Sequence, residues 1–452
     1  MNPENINNAK FLSRVTAVVP EQRQIDFQNL GYYNFIHFGL NTFTKKEWGS
    51  GKVNPKVFTL TDIDTDKWAK QLKSTGSTGI ILTAKHHDGF CLFPSKYTDY
   101  TISATGYRNG NGDLVKQLAD SCKKFDLKFG IYLSPWDRHE STYGTEAYND
   151  FFCNQLTELC TNYGELFCFW FDGACGEGEN GKKQNYDWSR YFEIIRRLQP
   201  NAVITNCGPD VRWIGNEFGK PRKSEFSVVP KNLQDNLKIA QMSQQKEGAT
   251  VMLKAPSFTD KSLGEREQLL NEELCWYPAE MNIPVTYFGW FWRPIFEIFF
   301  TRSVRNLENC YYNSVGANAT LLVNVPPNDN GELPEKFIKI LVKARKRIES
   351  RFSDKAEIVN ITQNKNDFVI KIKPQTVKTV VLSEDITKSQ RIEDFSIIAS
   401  GKTVYSGTAV GFKKICILKK PVKNCKEIII QINNCRLQPY IKNMVLQDLQ
   451  RK

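Results

Sequence analysis

From about residue 30 to residue 210 one unit recurs: a short run that is apolar almost throughout, a polar loop, then a helix-period pattern. The apolar runs fall at 32–40, 78–90, 127–137, 165–173 and 201–210, and the helix patterns at 64–76, 113–126, 146–164 and 187–200. A strand that is apolar at nearly every position is buried on both faces, the condition of a parallel sheet covered by helices. Successive β-loop-α units of this kind predict an α/β fold, a (β/α)8-type (TIM-like) barrel rather than a two-layer sheet.

The stretch 211–300 is less regular and richer in Trp, Pro and Phe, and is expected to hold the remaining strands with long functional loops. The run NATLLVNVPP at 318–327 reads as the last barrel strand and 334–352 as the closing helix. After about residue 353 the texture changes to short alternating strands with turn residues between them and no long helix pattern before the tail. That pattern predicts a small antiparallel β-sandwich. The expected organisation is a catalytic barrel over 1–352 and a C-terminal sandwich over 353–452.

Several function classes drop out on composition. No run approaches the roughly 18 apolar residues that a membrane span needs, so no membrane partner is expected. The opening MNPENINNAKFLSRV is polar and has no apolar leader core, which favours a cytoplasmic chain and leaves secretion or a lysosomal location open. The twelve Cys are scattered, with no CxxC pair, so they read as buried free thiols in a reducing compartment rather than a metal framework. A net charge of +12 is spread thinly, and no nucleic-acid motif accompanies it, so no nucleic-acid partner is expected. The sequence carries no signal of oligomeric state.

In a parallel barrel the functional groups gather at the C-terminal ends of strands. The polar residues that follow each apolar run are therefore the candidates. The first run gives His37, with Glu47 and Trp48 in the loop beyond; the second gives Lys85, His86, His87 and Asp88. The third gives Tyr132, Ser134 and Asp137, the fourth Trp170 and Asp172, and the fifth leads to Asp210, Arg212, Trp213, Asn216 and Glu217. The chain has only four His, and three of them fall at these positions. Two carboxylates in a pocket with Trp, His and Arg suit glycoside hydrolysis, in which one attacks the anomeric carbon and the other protonates the leaving oxygen. A loop-capping role for Asp172 is the competing reading of that residue.

Eight segments, among them NFIHFGLNTF, EWG, ILTAKHHDGFCLFPSKYT, GIYLSPWDR, CFWFDGACGEG, GPDVRWIGNEFG and NSVGANATLLVNVPPNDNGEL, run in order over about residues 20–330. In these the chain resembles the α-L-fucosidases of glycoside hydrolase family 29, and its GPDxRWxGNExG segment resembles the branch selective for α-1,3/1,4-fucosyl linkages of Lewis-type glycans. The resemblance implies a retaining exo-hydrolase with Asp172 as nucleophile and Glu217 as acid/base. His37, Glu47, Trp48, His86, His87, Tyr132, Trp170 and Trp290 would line the sugar pocket, with Arg212 and Trp213 beside it. It implies no metal and no cofactor, a fucosylated oligosaccharide or glycoconjugate as partner, and a barrel followed by a β-sandwich. The chain departs from the family pattern at Cys175, at Arg293 after GWFW, and at Ala317, departures that bear on the leaving-group side.

Burial against Trp213 and a like charge nearby are expected to raise the Glu217 pKa. The alternatives are a catalytically inactive carbohydrate-binding protein on the same scaffold, another exo-glycosidase such as a galactosidase, or a metal-dependent hydrolase using His86, His87 and Asp172. Adjacent His residues on a continuing strand point to opposite faces, which tells against the last.

Overall fold

The computed structural model describes residues 8–237, 262–352 and 354–448. Eight parallel strands build the first unit: β1 (Tyr32–Ile36), β2 (Gly79–Lys85), β3 (Lys128–Leu133), β4 (Cys168–Phe171), β5 (Val203–Asn206), β6 (Arg212–Trp213), β7 (Ala279–Pro284) and β8 (Ala319–Asn324). They are hydrogen-bonded in the order β5-β4-β3-β2-β1-β8-β7-β6, and a parallel bridge between Thr205 and Val211 brings β5 to β6. The result is a nearly closed barrel. Its first five strands coincide with the apolar runs, since those residues are buried on both faces. The helices between them begin where an Asp can cap: Asp64, Asp113 and Asp187 each accept from a backbone N–H three residues on. Such a cap contributes about 1 kcal/mol.

β6 and β7 did not stand out in the sequence for two different reasons. β6 is only two residues long and follows β5 with no helix between them. β7, AEMNIP, alternates polar with apolar, and its polar Glu280 and Asn282 are buried. Part of the irregular stretch read from 211 to 300, residues 238–261, lies outside the described residues, as do residues 1–7 of the opening segment.

The second unit is a seven-stranded antiparallel sheet. Two of its strands, Asp367–Glu384 and Lys414–Cys435, are much longer than the sequence pattern indicated, each joining two of the expected short strands. Irregular pairing between Lys371 and Thr379 breaks their mutual register, and bulges of this kind bend a strand. One half of the pair carries Ile358–Asn364 and Ile392–Ala399, the other carries Ile441–Asp448. Ile370, Phe395 and Ile430 of one half share a core with Val380, Leu382 and Leu446 of the other. The sandwich is thus a single sheet bent over one shared core. The tail segment Ile441–Asp448 is a strand rather than a helix, and residues 449–452 lie outside the described residues.

Every cysteine is free, and all but Cys275 and Cys435 are buried. Asn318, which begins a formal glycosylation sequon, is only 1% exposed and donates to Glu225 O at 2.8 Å. Among the described residues no helix is long and apolar enough to cross a membrane.

Candidate active site

Asp172 follows the last residue of β4. Its Oδ2 accepts from the Tyr132 hydroxyl at 3.0 Å and its Oδ1 from the Ala174 backbone N–H at 2.8 Å. The side chain keeps 26% of its surface open. Two donors on a partly open carboxylate fix its orientation while leaving it reachable.

Glu217 sits on a tight loop after β6. Asn216 Oδ1 accepts from the N–H groups of Phe218 and Lys220, each at 3.1 Å, and its amide donates back to Lys220 O at 2.9 Å. Gly219 has φ +75°, and a side chain there would also strike Cys310 Sγ. The loop therefore presents Glu217 at its tip, open to solvent. Lost hydration pushes the Glu217 carboxyl up to about 7, with the charges of Asp172 and then Glu47 adding to the effect. The expected rise is present, and its largest contribution is burial.

The three histidines meet above the barrel. β2 ends at Lys85 and the chain turns, Gly89 N–H donating to His86 O. The strand alternation expected to separate His86 from His87 no longer applies, and their ring centroids lie 4.1 Å apart. His87 Nδ1 contacts Ser134 Oγ at 2.7 Å, and that hydroxyl gives its hydrogen to Trp136 O. The proton on His87 is therefore on Nδ1, and Nε2 is an acceptor. The same logic applies to His37. Asn324 uses its amide N–H on Trp290 O, so its Oδ1 accepts from His37 Nδ1 at 2.9 Å. Burial lowers the pKa of His37 to about 3 and of His87 to about 4, and lowers His86 well below the ordinary range. All three are neutral near pH 7. His86 Nδ1 is buried with no hydrogen-bond partner.

Aromatic rings form the floor and walls. Trp170 is stacked on Tyr132 with centroids 5.4 Å apart, and its Nε1 donates to Glu280 Oε1 at 2.9 Å. The Tyr33 hydroxyl also donates to Glu280. Trp290 lies 5.1 Å from His37, and its backbone N–H donates to Glu47 Oε1 at 2.6 Å. Trp48 stands edge-on to His87 at 5.5 Å. Trp213 donates from Nε1 to Asn282 Oδ1 at 2.7 Å.

Some sequence candidates are engaged elsewhere. Arg212, named as a pocket residue, is 5% exposed and bound to Glu225, Phe226 O and Tyr277 O. It neighbours Trp213 on β6, so strand alternation turns it to the opposite face. Asp210 pairs with Arg196, and Lys85 with Asp137, in buried or nearly buried contacts. Of the departures from the family pattern, Arg293 lies 3.7 Å from Glu47 Oε2. Ala317 instead bridges to Lys414 at the N-terminal end of β8, and Cys175 is buried beside Tyr143.

Asn324, Glu280 and Asn282 were missed. Asn324 ends an apolar run much as Asp172 follows one, so the same strand-end rule finds it. Glu280 and Asn282 had no such signal, because they lie within β7 itself. Among the described residues no group of three or more His, Cys, Asp or Glu is arranged to hold a metal ion.

The sequence profile of the α-L-fucosidase family matches residues 12–346. Alpha-L-fucosidase 1 of Arabidopsis thaliana is 35% identical over 95% of this chain and 87% of its own length. A crystal structure from Bacteroides ovatus, provisionally assigned as an α-L-fucosidase, superposes with a TM-score of 0.87 at 38% identity, covering 98% of this chain and 76% of that one. A Ruminococcus gnavus GH29 fucosidase in complex with fucose gives a TM-score of 0.79 at 27% identity, over 95% of each chain.

Proposed function

The chain belongs to the α-L-fucosidases of glycoside hydrolase family 29, and on that premise we propose that it is a retaining exo-enzyme with Asp172 as nucleophile and Glu217 as acid/base. The carrying observation is the contrast between the two carboxyl groups. Asp172 is held by two hydrogen-bond donors, whereas Glu217 is raised to about 7 and so retains a proton where a free carboxyl would not. Two carboxyl groups whose environments differ in this way suit division into nucleophile and acid.

In the first step an Asp172 oxygen attacks the anomeric carbon of a terminal α-L-fucosyl group. The glycosidic C–O bond breaks, and the Glu217 proton passes to the leaving oxygen. In the second step Glu217, now a carboxylate, takes a proton from water. The water oxygen bonds to the anomeric carbon and the bond to Asp172 breaks. Retaining chemistry requires the carboxyl groups about 5–5.5 Å apart. The neutral imidazoles of His37 and His87 offer Nε2 as acceptors for sugar hydroxyls, and Trp170, Trp48 and Trp290 offer apolar faces to the ring.

We assign the preferred substrates to branched α-1,3/1,4-fucosylated glycans of Lewis type. The support is the GPDVRWIGNEFG segment, which carries Glu217 on its tip. The test compares wild type with Asp172→Ala on a Lewis-type trisaccharide and on 2′-fucosyllactose, reading free fucose. Release from the branched trisaccharide by wild type alone is expected. Release mainly from 2′-fucosyllactose would overturn the linkage assignment and keep the activity; undiminished release by Asp172→Ala would overturn the nucleophile.

A further inference from the structure

Arg302 stands between the strand β7 and the helix Val304–Ser314, and it is 1% exposed. A buried guanidinium is costly unless its donors are used. Here they converge on three separate segments. Nε donates to Pro284 O at 2.8 Å and to Thr286 O at 3.0 Å, at the end of β7. Nη1 donates to Asn306 Oδ1 at 3.0 Å, in the helix. Nη2 donates to Glu217 O at 3.1 Å. The Tyr287 ring covers the guanidinium at 4.8 Å, and the Arg302 backbone N–H is itself anchored on Val285 O at 2.9 Å.

Besides Arg302, the approach to the Glu217 loop is tied to β7 by the Ile214 N–H, which donates to Glu280 O at 2.9 Å, and the Glu217 carboxyl itself is hydrogen-bonded to Trp290. The loop's own turn is closed by Asn216, a local device that shapes the loop without fixing where it sits. Arg222 Nη1 holds Ile214 O at 2.8 Å on the approach to the turn. At the far side Gly219 packs close to Cys310 of the same helix that carries Asn306. The direct hydrogen bond from the barrel to the Glu217 peptide comes from Arg302. A fork with fixed geometry, bonded on both of its other sides to strand and helix, transmits the position of the barrel rim to that peptide.

We propose that Arg302 is a positioning residue for the acid/base, locking the Glu217 peptide to the end of β7 so that the carboxyl meets the glycosidic oxygen. This rests on the reading of Glu217 as acid/base. It makes Arg302 matter for leaving-group protonation while leaving the fucose pocket on the Asp172 side intact. A misplacement of about 1 Å at a reacting group can cost on the order of 10²-fold in rate. A substrate that needs no protonation escapes that loss.

The experiment measures kcat/KM for an activated aryl fucoside and for a fucosyl oligosaccharide in wild type, Arg302→Lys, Asn306→Ala and Glu217→Gln, with inhibition by free fucose as a reading of the sugar pocket. Lys keeps the charge and removes the fork. For Arg302→Lys the oligosaccharide rate is expected to fall at least about 10-fold more than the aryl fucoside rate, with fucose inhibition unchanged. Asn306→Ala, which removes one anchor of the fork, is expected to give the same selectivity at smaller size, and it carries the test if thermal unfolding shows Arg302→Lys not to fold. Equal losses on both substrates, or no selective loss in folded protein, overturn the proposal. If Glu217→Gln loses oligosaccharide selectively and the other two variants do not, only the role of Arg302 fails. If Glu217→Gln itself shows no leaving-group dependence, the acid/base reading fails with it.

Discussion

His87 Nε2 lies 3.8 Å from Asp172 Oδ2, too far for a hydrogen bond and wide enough for a hydroxyl to approach both. With Nδ1 committed to Ser134, two acceptors face one another across that gap. A hydroxyl that arrives with the substrate can give its one hydrogen to one of them or share it between the two. We therefore expect one fucose hydroxyl to lie between them, and His87→Gln to lower kcat/KM by up to about 10-fold, the worth of a hydrogen bond to a neutral group. Monodeoxygenated aryl fucosides make the check specific. For the sugar lacking the bridging hydroxyl, wild type should already be slow and the mutation should cost little more; additive losses for every deoxy sugar would place the hydroxyl elsewhere.

Tyr132 approaches the other side of the same carboxylate oxygen, donating to Asp172 Oδ2 at 3.0 Å. Its ring is stacked between His86 and Trp170, so Tyr132→Phe removes the hydroxyl and leaves the packing. The lost orientation of Asp172 is expected to lower kcat by about 10-fold or more, with fucose inhibition little changed. A mutant that turns over normally would mean that the Ala174 N–H alone is enough to hold the nucleophile.

The pH dependence follows from Glu217. With its carboxyl raised to about 7, the acid form is lost as pH rises through that value. The basic limb of kcat/KM for oligosaccharide substrates is expected there and should be absent in Glu217→Gln. The stability sign is opposite to that of an ion-paired carboxylate. Between the ordinary value of 4.5 and about 7 the folded chain holds a proton that the unfolded chain has released, so this group makes the fold less stable as pH rises through that window. Glu217→Gln should be more stable than wild type above about pH 7, read by thermal unfolding across pH. The buried neutral His37 and His87 act at the other end. Their folded values of about 3 and about 4 lie below 6.5, so their contribution is full above 6.5 and is lost as pH falls through those values.

The legible part of the fold and site is that in which local sequence and tertiary position agree. A polar residue after an uninterrupted apolar run can only be at a strand end, and this placed His37, His86, His87 and Asp172 correctly at the barrel's C-terminal rim. β7 was not legible because the barrel interior there is polar. Glu280 serves Trp170 and Tyr33, and Asn282 serves Trp213, so the strand lacks the apolar run that identified its neighbours. The long sandwich strands were split because the irregular pairing between Lys371 and Thr379 interrupts the period without ending the strand. Arg302 leaves no trace in the sequence at all, since all but one of its hydrogen-bond acceptors are backbone carbonyls.

Arg212 is the residue on which pattern and position part most clearly. It follows directly before Trp213 in a segment that otherwise supplies the site, and alternation on a two-residue strand sends it to the outer face. There its side chain and that of Glu225 are 5% and 3% exposed, with Arg222 Nη1 also 3.3 Å from Glu225. Removing one partner of a buried pair leaves the other charge without compensation, which costs about 3–5 kcal/mol. Arg212→Met should therefore lower the unfolding temperature strongly, because Glu225 loses its shorter ion pair and is left with the longer one to Arg222. Its activity per folded molecule should stay near that of wild type on both aryl and oligosaccharide substrates. Unfolding followed alongside active-site titration separates the two quantities. A variant that kept its stability while losing kcat/KM would return Arg212 to the pocket, and would require the β6 strand to present its other face to the substrate.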